Sequence, residues 1–142
     1  MNERFLFRGR RYDNGEWITG WITSQFKKFT EGEVLTYIKS NVFGGGEHLV
    51  NTKTVGQCTG LKDKNGKLIF EGDIVEDGDS GLFGKVIFAT AADGFDGMTG
   101  FMVDDVDDGI QNYNGFWHSV EVIGNVYDGL ELSLPSYRKG VR

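Results

Sequence analysis

Three Asn-Gly dipeptides, at Asn14-Gly15, Asn65-Gly66 and Asn114-Gly115, constrain this chain more than any other feature of its sequence. The first lies between the aromatic runs 5–12 and 16–23, and the second between the strand-favouring runs 54–61 and 68–70. A two-residue type I′ hairpin turn needs positive φ at both central positions, which Asn tolerates and Gly adopts freely. The expectation is a chain of short antiparallel strands joined by tight reversals.

Composition agrees with that reading. The 142 residues include 22 Gly and a single Pro, so turns and open loops are plentiful and proline-stiffened linkers are not. Eleven Phe, five Tyr and three Trp provide large side chains for a core. No long amphipathic helical pattern and no internal repeat is present. Further strands are expected at 34–38, 73–75, 85–88, 101–103 and 120–127, with Gly44-Gly45-Gly46 read as a linker-like loop. The run opening at Gly72-Asp73, followed by an acidic glycine-containing loop and a second strand, is how many SH3-like barrels begin. The fold expected is therefore mainly β. Residues 1–58 form an N-terminal β-meander lobe, 59–134 an SH3-like barrel lobe and 135–142 a flexible tail.

The formal net charge of −6 disfavours a phosphate backbone as partner. Lone Cys58 has no disulfide mate, which suits a reducing, cytoplasmic compartment, and no apolar run is long enough to span a bilayer. Flanked by Val55 and Leu61, Cys58 reads as a small buried hydrophobe.

The motifs that suggest chemistry fail on their own terms. Gly78-Asp79-Ser80-Gly81 has the tetrad of a serine nucleophile, but Leu82-Phe83 follows, and neither His48 nor His118 has a triad context. Asp104-Asp105-Val106-Asp107-Asp108-Gly109 gathers four carboxylates, yet Val106 and Gly115 fall where a calcium loop needs oxygen ligands. Gly44-Gly45-Gly46-Glu47-His48 lacks the lysine and the strand-to-helix setting of a phosphate-binding loop. Arg8, Arg10, Arg11, Lys27 and Lys28 alternate with Phe5, Phe7, Phe26 and Phe29, a mixture able to bind single strands; alternation turns the aromatics inward and favours a core instead.

Several stretches together resemble the YopX family of small proteins encoded by bacteriophages and prophages. They are Phe7-Arg8-Gly9-Arg10-Arg11 with Asp13-Asn14-Gly15-Glu16-Trp17, Thr54-Val55-Gly56-Gln57, the long run from Thr59 to Val75, and Val122-Ile123-Gly124-Asn125-Val126-Tyr127. Cys58 and Asp128-Gly129-Leu130 depart from the family's usual residues. The resemblance implies a mostly β protein with an SH3-like C-terminal part that self-associates, and it supplies no catalytic residues. Within the central run, Gly60 and Gly66 fit turns and Asp63 and Asn65 shape a hairpin tip.

The expectation is a noncatalytic accessory protein, without cofactor or metal, that binds a host or phage protein or further copies of itself in the bacterial cytoplasm. The interface candidates are Trp17, Trp21, Phe116 and Trp117, because exposed aromatics anchor interfaces. Nucleic-acid binding through residues 8–11 is an alternative. So is nucleic-acid mimicry by Asp77, Asp79, Asp104, Asp105, Asp107 and Asp108, provided that they cluster on one face.

Overall fold

The computed structural model describes residues 3–27, 34–78, 81, 83–89, 100–105, 109–111 and 119–128. The protein is mainly β, with two antiparallel sheets and, among the described residues, short 3-10 turns at Glu3–Phe5 and Thr52–Thr54 but no α-helix. It divides into two compact units, Met1–Gly60 and Leu61–Arg142.

In the first unit β1 (Phe7–Arg10), β2 (Trp17–Lys27), β3 (Val34–Ser40) and β4 (Glu47–Val50) are followed by the start of β5 (Gly56–Lys62), and the order across the sheet is β4-β3-β2-β1-β5. The expected first hairpin is present, with Arg10 opposite Trp17 and Phe7 opposite Gly20. Its turn differs from the type I′ expectation. The Arg11 N–H donates to the Glu16 carbonyl and the Gly15 N–H to the Arg11 carbonyl, so the loop is four residues long, and Gly15 supplies one left-handed residue (φ 73°) at its end. Ile18, Ile38 and Val50 are buried together, with Phe7, Ile22 and Val55 packed against them. Each such aliphatic side chain removed from water contributes about 1.5–3 kcal/mol.

The outer edge of β4 is tied back to the residues that follow β1. Arg11 bridges Val50, the Tyr12 N–H donates to the Leu49 carbonyl, and the Asn51 N–H donates to the Arg10 carbonyl. The β2–β3 hairpin meanwhile runs on past this sheet. β1 covers β2 only over Trp17–Gly20 and β4 covers β3 only over residues 36–39, and beyond a register shift between Ile22 and Ser24 residues 23–27 are exposed. This corrects the inward placement expected for Phe26. It is half exposed and stacks on Tyr37, because among the described residues no third strand covers that end of the hairpin.

The end of β5 leads round the second Asn-Gly reversal into β6 (Leu68–Phe70). The Asp63 N–H donates to the Lys67 carbonyl and the Gly66 N–H to the Asp63 carbonyl. Gly66 is left-handed at φ 82°, so this too is a longer loop closed by glycine rather than a two-residue turn. In the second unit β7 (Asp73–Glu76), β8 (Phe83–Ala89), β9 (Gly100–Asp105), β10 (Gly109–Gln111) and β11 (Glu121–Asn125) form a sheet in the order β10-β9-β8-β7-β11. Five valines and Ile69 make its buried cluster, with Phe101 against it. The described strands leave this sheet open at β10 and β11 rather than closed into the SH3-like barrel implied by the resemblance.

Candidate functional site

The first unit carries a cleft of about 310 Å³, built where β2, β3 and the turn between β3 and β4 come together. Its wall depends on a close backbone approach. A Cβ at Gly20 would overlap the carbonyl oxygen of Lys39, so only glycine allows β2 to lie where the Thr19 carbonyl accepts from the Asn41 N–H at 3.0 Å. The glycine-rich stretch expected to be a linker is a bonded turn. The Ser40 N–H donates to the Gly46 carbonyl, the Gly45 N–H to the Val42 carbonyl and the Val42 N–H to Ser40 Oγ. His48 braces it from β4, its Nε2 lying 2.8 Å from the Gly45 carbonyl. A carbonyl only accepts, so Nε2 carries a proton, and in the neutral ring Nδ1 is left as an acceptor.

Register explains the rest of the lining. Pairing of Ile38 with His48 and of Thr36 with Val50 sets His48 at the end of the strand that buries Val50. Ile18 shares the sheet face of His48 and lies at the base, Asn41 borders the cleft, and the side chains of Trp17 and Thr19 point to the opposite face of β2. Arg11 lies at the rim, where its Nε and Nη2 hold the two carboxylate oxygens of Asp13 at 3.0 and 2.7 Å. That hydrogen-bonded pairing holds the Asp13 carboxyl below its usual range and raises the guanidinium further above its own. Among the described residues the Asn41 side-chain amide, the Thr19 hydroxyl and His48 Nδ1 have no hydrogen-bond partner in the protein.

A second polar constellation is its opposite. Asp63, only 5% exposed, accepts at Oδ1 from the Asn65 and Lys67 N–H groups and at Oδ2 from the Val122 N–H, all within 2.8–2.9 Å. Burial pushes its carboxyl up, but the three backbone donors together outweigh burial and hold it below the ordinary carboxylate range.

Of the four aromatic interface candidates, Trp17 and Trp21 are half-buried on β2, while Phe116 and Trp117 lie outside the described residues. Trp17 is engaged: the Arg8 and Arg10 guanidinium carbons lie 5.0 and 5.8 Å from its ring centroid. Arg8 is buried and Arg10 half-buried, so both pack on this ring rather than standing free at the surface. Asp77 is 3% exposed and contributes nothing to an acidic surface; Asp79, Asp107, Asp108, Ser80 and His118 lie outside the described residues. Cys58 is fully buried in the first unit, as its flanking residues led one to expect. Sequence reading missed Phe43, the most exposed large apolar side chain described, and its neighbour Val42 at 67% exposure. The signal was an apolar pair set immediately before three glycines. Among the described residues no helix is long and apolar enough to cross a membrane, and no three His, Cys, Asp or Glu side chains group as metal ligands.

The family model described as YopX protein matches residues 6–132, nearly the whole chain, and the chain belongs to that family. No curated protein matches it at a significant level.

Proposed function

We propose that this YopX family member is a noncatalytic accessory protein of a phage or prophage, acting in the host cytoplasm by binding another protein or further copies of itself. The observation that carries the reading is the Val42-Phe43 tip, where a fully solvated phenyl ring and a mostly exposed valine are held out on a hydrogen-bonded turn. An aromatic side chain left in water forgoes about 1.5–3 kcal/mol of burial, which a partner's pocket would recover on binding. Half-exposed Phe26 on Tyr37 and the exposed Val34 of the β2–β3 hairpin extend the apolar surface of the same unit. Nucleic acid is disfavoured as the partner by the net charge and by the packing of Arg8 and Arg10 on Trp17.

The test compares wild type with Phe43→Ser by light scattering and by affinity capture from host and phage-infected lysates. Wild type is expected to multimerise or to retain a defined protein, and Phe43→Ser to weaken that association at least about tenfold while folding normally, since the lost contacts all lie outside the monomer. A wild type that stays monomeric and captures nothing, or a variant that associates unchanged, would overturn the reading.

A further inference from the structure

The β2–β3 hairpin leaves one strand edge open. On one side β3 is closed by β4 and by Thr52, whose hydroxyl donates to the Val34 carbonyl; on the other, β1 covers β2 only to Gly20, and among the described residues no strand pairs with that edge beyond it. Register shows which backbone groups face the opening. The Val34 carbonyl points away from β2, so alternation turns the backbone of Leu35 and Tyr37 toward it, in keeping with the bond from Thr23 Oγ1 to the Tyr37 carbonyl. Leu35 lies opposite Phe26 and Tyr37 opposite Ser24, so Phe26 and Ser24 turn their backbone groups to β3, and Gln25 and Lys27 direct theirs outward. An edge of this kind is ordinarily blunted by charge, proline or a bulge. Here the register shift is confined to 22–24, residues 24–27 pair regularly with β3, and residues 21–27 include no acid, no Pro and a single Lys at their end.

The edge is complementary to itself. Two copies joined antiparallel about a two-fold axis perpendicular to the sheet set one residue opposite its own counterpart. An axis at Lys27 would oppose two ammonium groups, and an axis at Ser24 or Gln25 would run the pairing into the register shift. With the axis at Phe26, Gln25 of each copy meets Lys27 of the other, and these are the residues whose N–H and C=O groups already face outward. The two Phe26 residues then form a pair without mutual backbone bonds, the kind in which side chains lie closest, and the ring that stacks on Tyr37 within each copy meets its counterpart from the other. Phe26, half exposed in the single chain, becomes covered. A strand of another protein would gain the same backbone bonds but not this ring pair. We infer that residues 24–27 of β2 pair edge to edge with the same residues of a second copy, on a two-fold axis through Phe26, so that the sheet of the first unit continues across a homodimer. This deepens the self-association part of the reading above by naming the surface, and it uses a part of the unit other than the Val42-Phe43 tip.

Amide hydrogen exchange of the full-length protein, followed by NMR at roughly 50 μM and 1 mM, tests the inference. An interface this small is expected to have a dissociation constant on the order of 100 μM, so exchange of the Gln25 and Lys27 amides should slow at least about twofold at the higher concentration. The Ser24 and Phe26 amides, bonded to β3 in the single chain, report that each variant keeps its fold. Lys27→Pro removes only an outward N–H, a place where an edge strand tolerates proline, and should abolish the concentration dependence at Gln25. Phe26→Lys, which opposes two charges on the axis, should abolish it at both amides. Phe43→Ser should leave the slowing intact, so that failure of the tip and failure of the edge are read on separate variants. The inference is overturned if Gln25 and Lys27 exchange equally fast at both concentrations, if they slow only when a host or phage protein is added, if Lys27→Pro and Phe26→Lys behave as wild type, or if Phe43→Ser alone removes the effect.

Discussion

Asp63 in the second unit and the cleft around His48 in the first are both polar side-chain clusters organised by a glycine-bearing turn, but their hydrogen bonding ends in opposite states. Every donor aimed at Asp63 is a backbone N–H with no freedom to leave, and together they spend both carboxylate oxygens. In the cleft the backbone is equally committed, through Asn41 to Thr19, Ser40 to Gly46 and His48 to Gly45, while the side chains of Thr19 and Asn41 stay outside that network. A buried polar group stabilises a fold only when its partners are built in, whereas one within reach of solvent can be satisfied by water. Asp63 is thus a structural clamp between the β5–β6 turn and β11. The cleft is a frame held through backbone N–H and carbonyl groups.

The largest expected effect falls on the frame. Gly20→Ala places a methyl group on the Lys39 carbonyl oxygen, where backbone rather than a pliable side chain must give way, so a loss of about 3 kcal/mol is expected on denaturant unfolding. A Gly20→Ala protein as stable as wild type would show that β2 and β3 do not need this approach, and the preformed cleft would lose its basis.

Next in size is the clamp. Asp63→Asn preserves shape and can still accept from Asn65 and Lys67, but its amide nitrogen then meets the Val122 N–H donor to donor, and about 2 kcal/mol should be lost near neutral pH. The pH dependence fixes the mechanism. The carboxyl is held below its unfolded value of about 4, so its contribution is fully present above that value and disappears as pH falls through the lower folded one. The stability gap between wild type and Asp63→Asn should therefore narrow progressively as the pH falls below the unfolded value of about 4. A gap that stays constant across that window would mean that charge plays no part in the clamp.

How much of this the sequence discloses follows from the range of each interaction. The two hairpins were legible because Asn-Gly is a local signal, but their turn types were not. Loop length is set by the register of the flanking strands, and register depends on packing, as where Gly9 pairs with core-forming Ile18. The role of Asp63 at the hairpin tip was legible through Asn65, two residues on, whereas the bond to Val122 crosses 59 residues and leaves no local trace. β4 escaped notice because four residues, Glu47–Val50, become a strand only through pairing with β3. The triple glycine misled for a related reason. Glycine reports conformational freedom, and what removes that freedom here is Ser40 Oγ, the Gly46 carbonyl and a histidine from the next strand.

The smallest expected effect is the most diagnostic of the contrast between the two clusters. Thr19→Val and Asn41→Ala delete groups that make no hydrogen bond within the described protein, so each should change unfolding free energy by no more than about 0.5 kcal/mol, the level of an ordinary surface substitution. Thr19→Val is the sharper of the two, since it keeps the β-branched shape on β2 and removes only the hydroxyl. Measured in the same denaturant series as Asp63→Asn, it separates a lone polar group on a half-buried strand from one enclosed by backbone donors. A loss from Thr19→Val comparable to that from Asp63→Asn would place the hydroxyl among the fold's own bonds; a negligible loss leaves the backbone carbonyl, which accepts from the Asn41 N–H, as the contribution of Thr19 to the cleft.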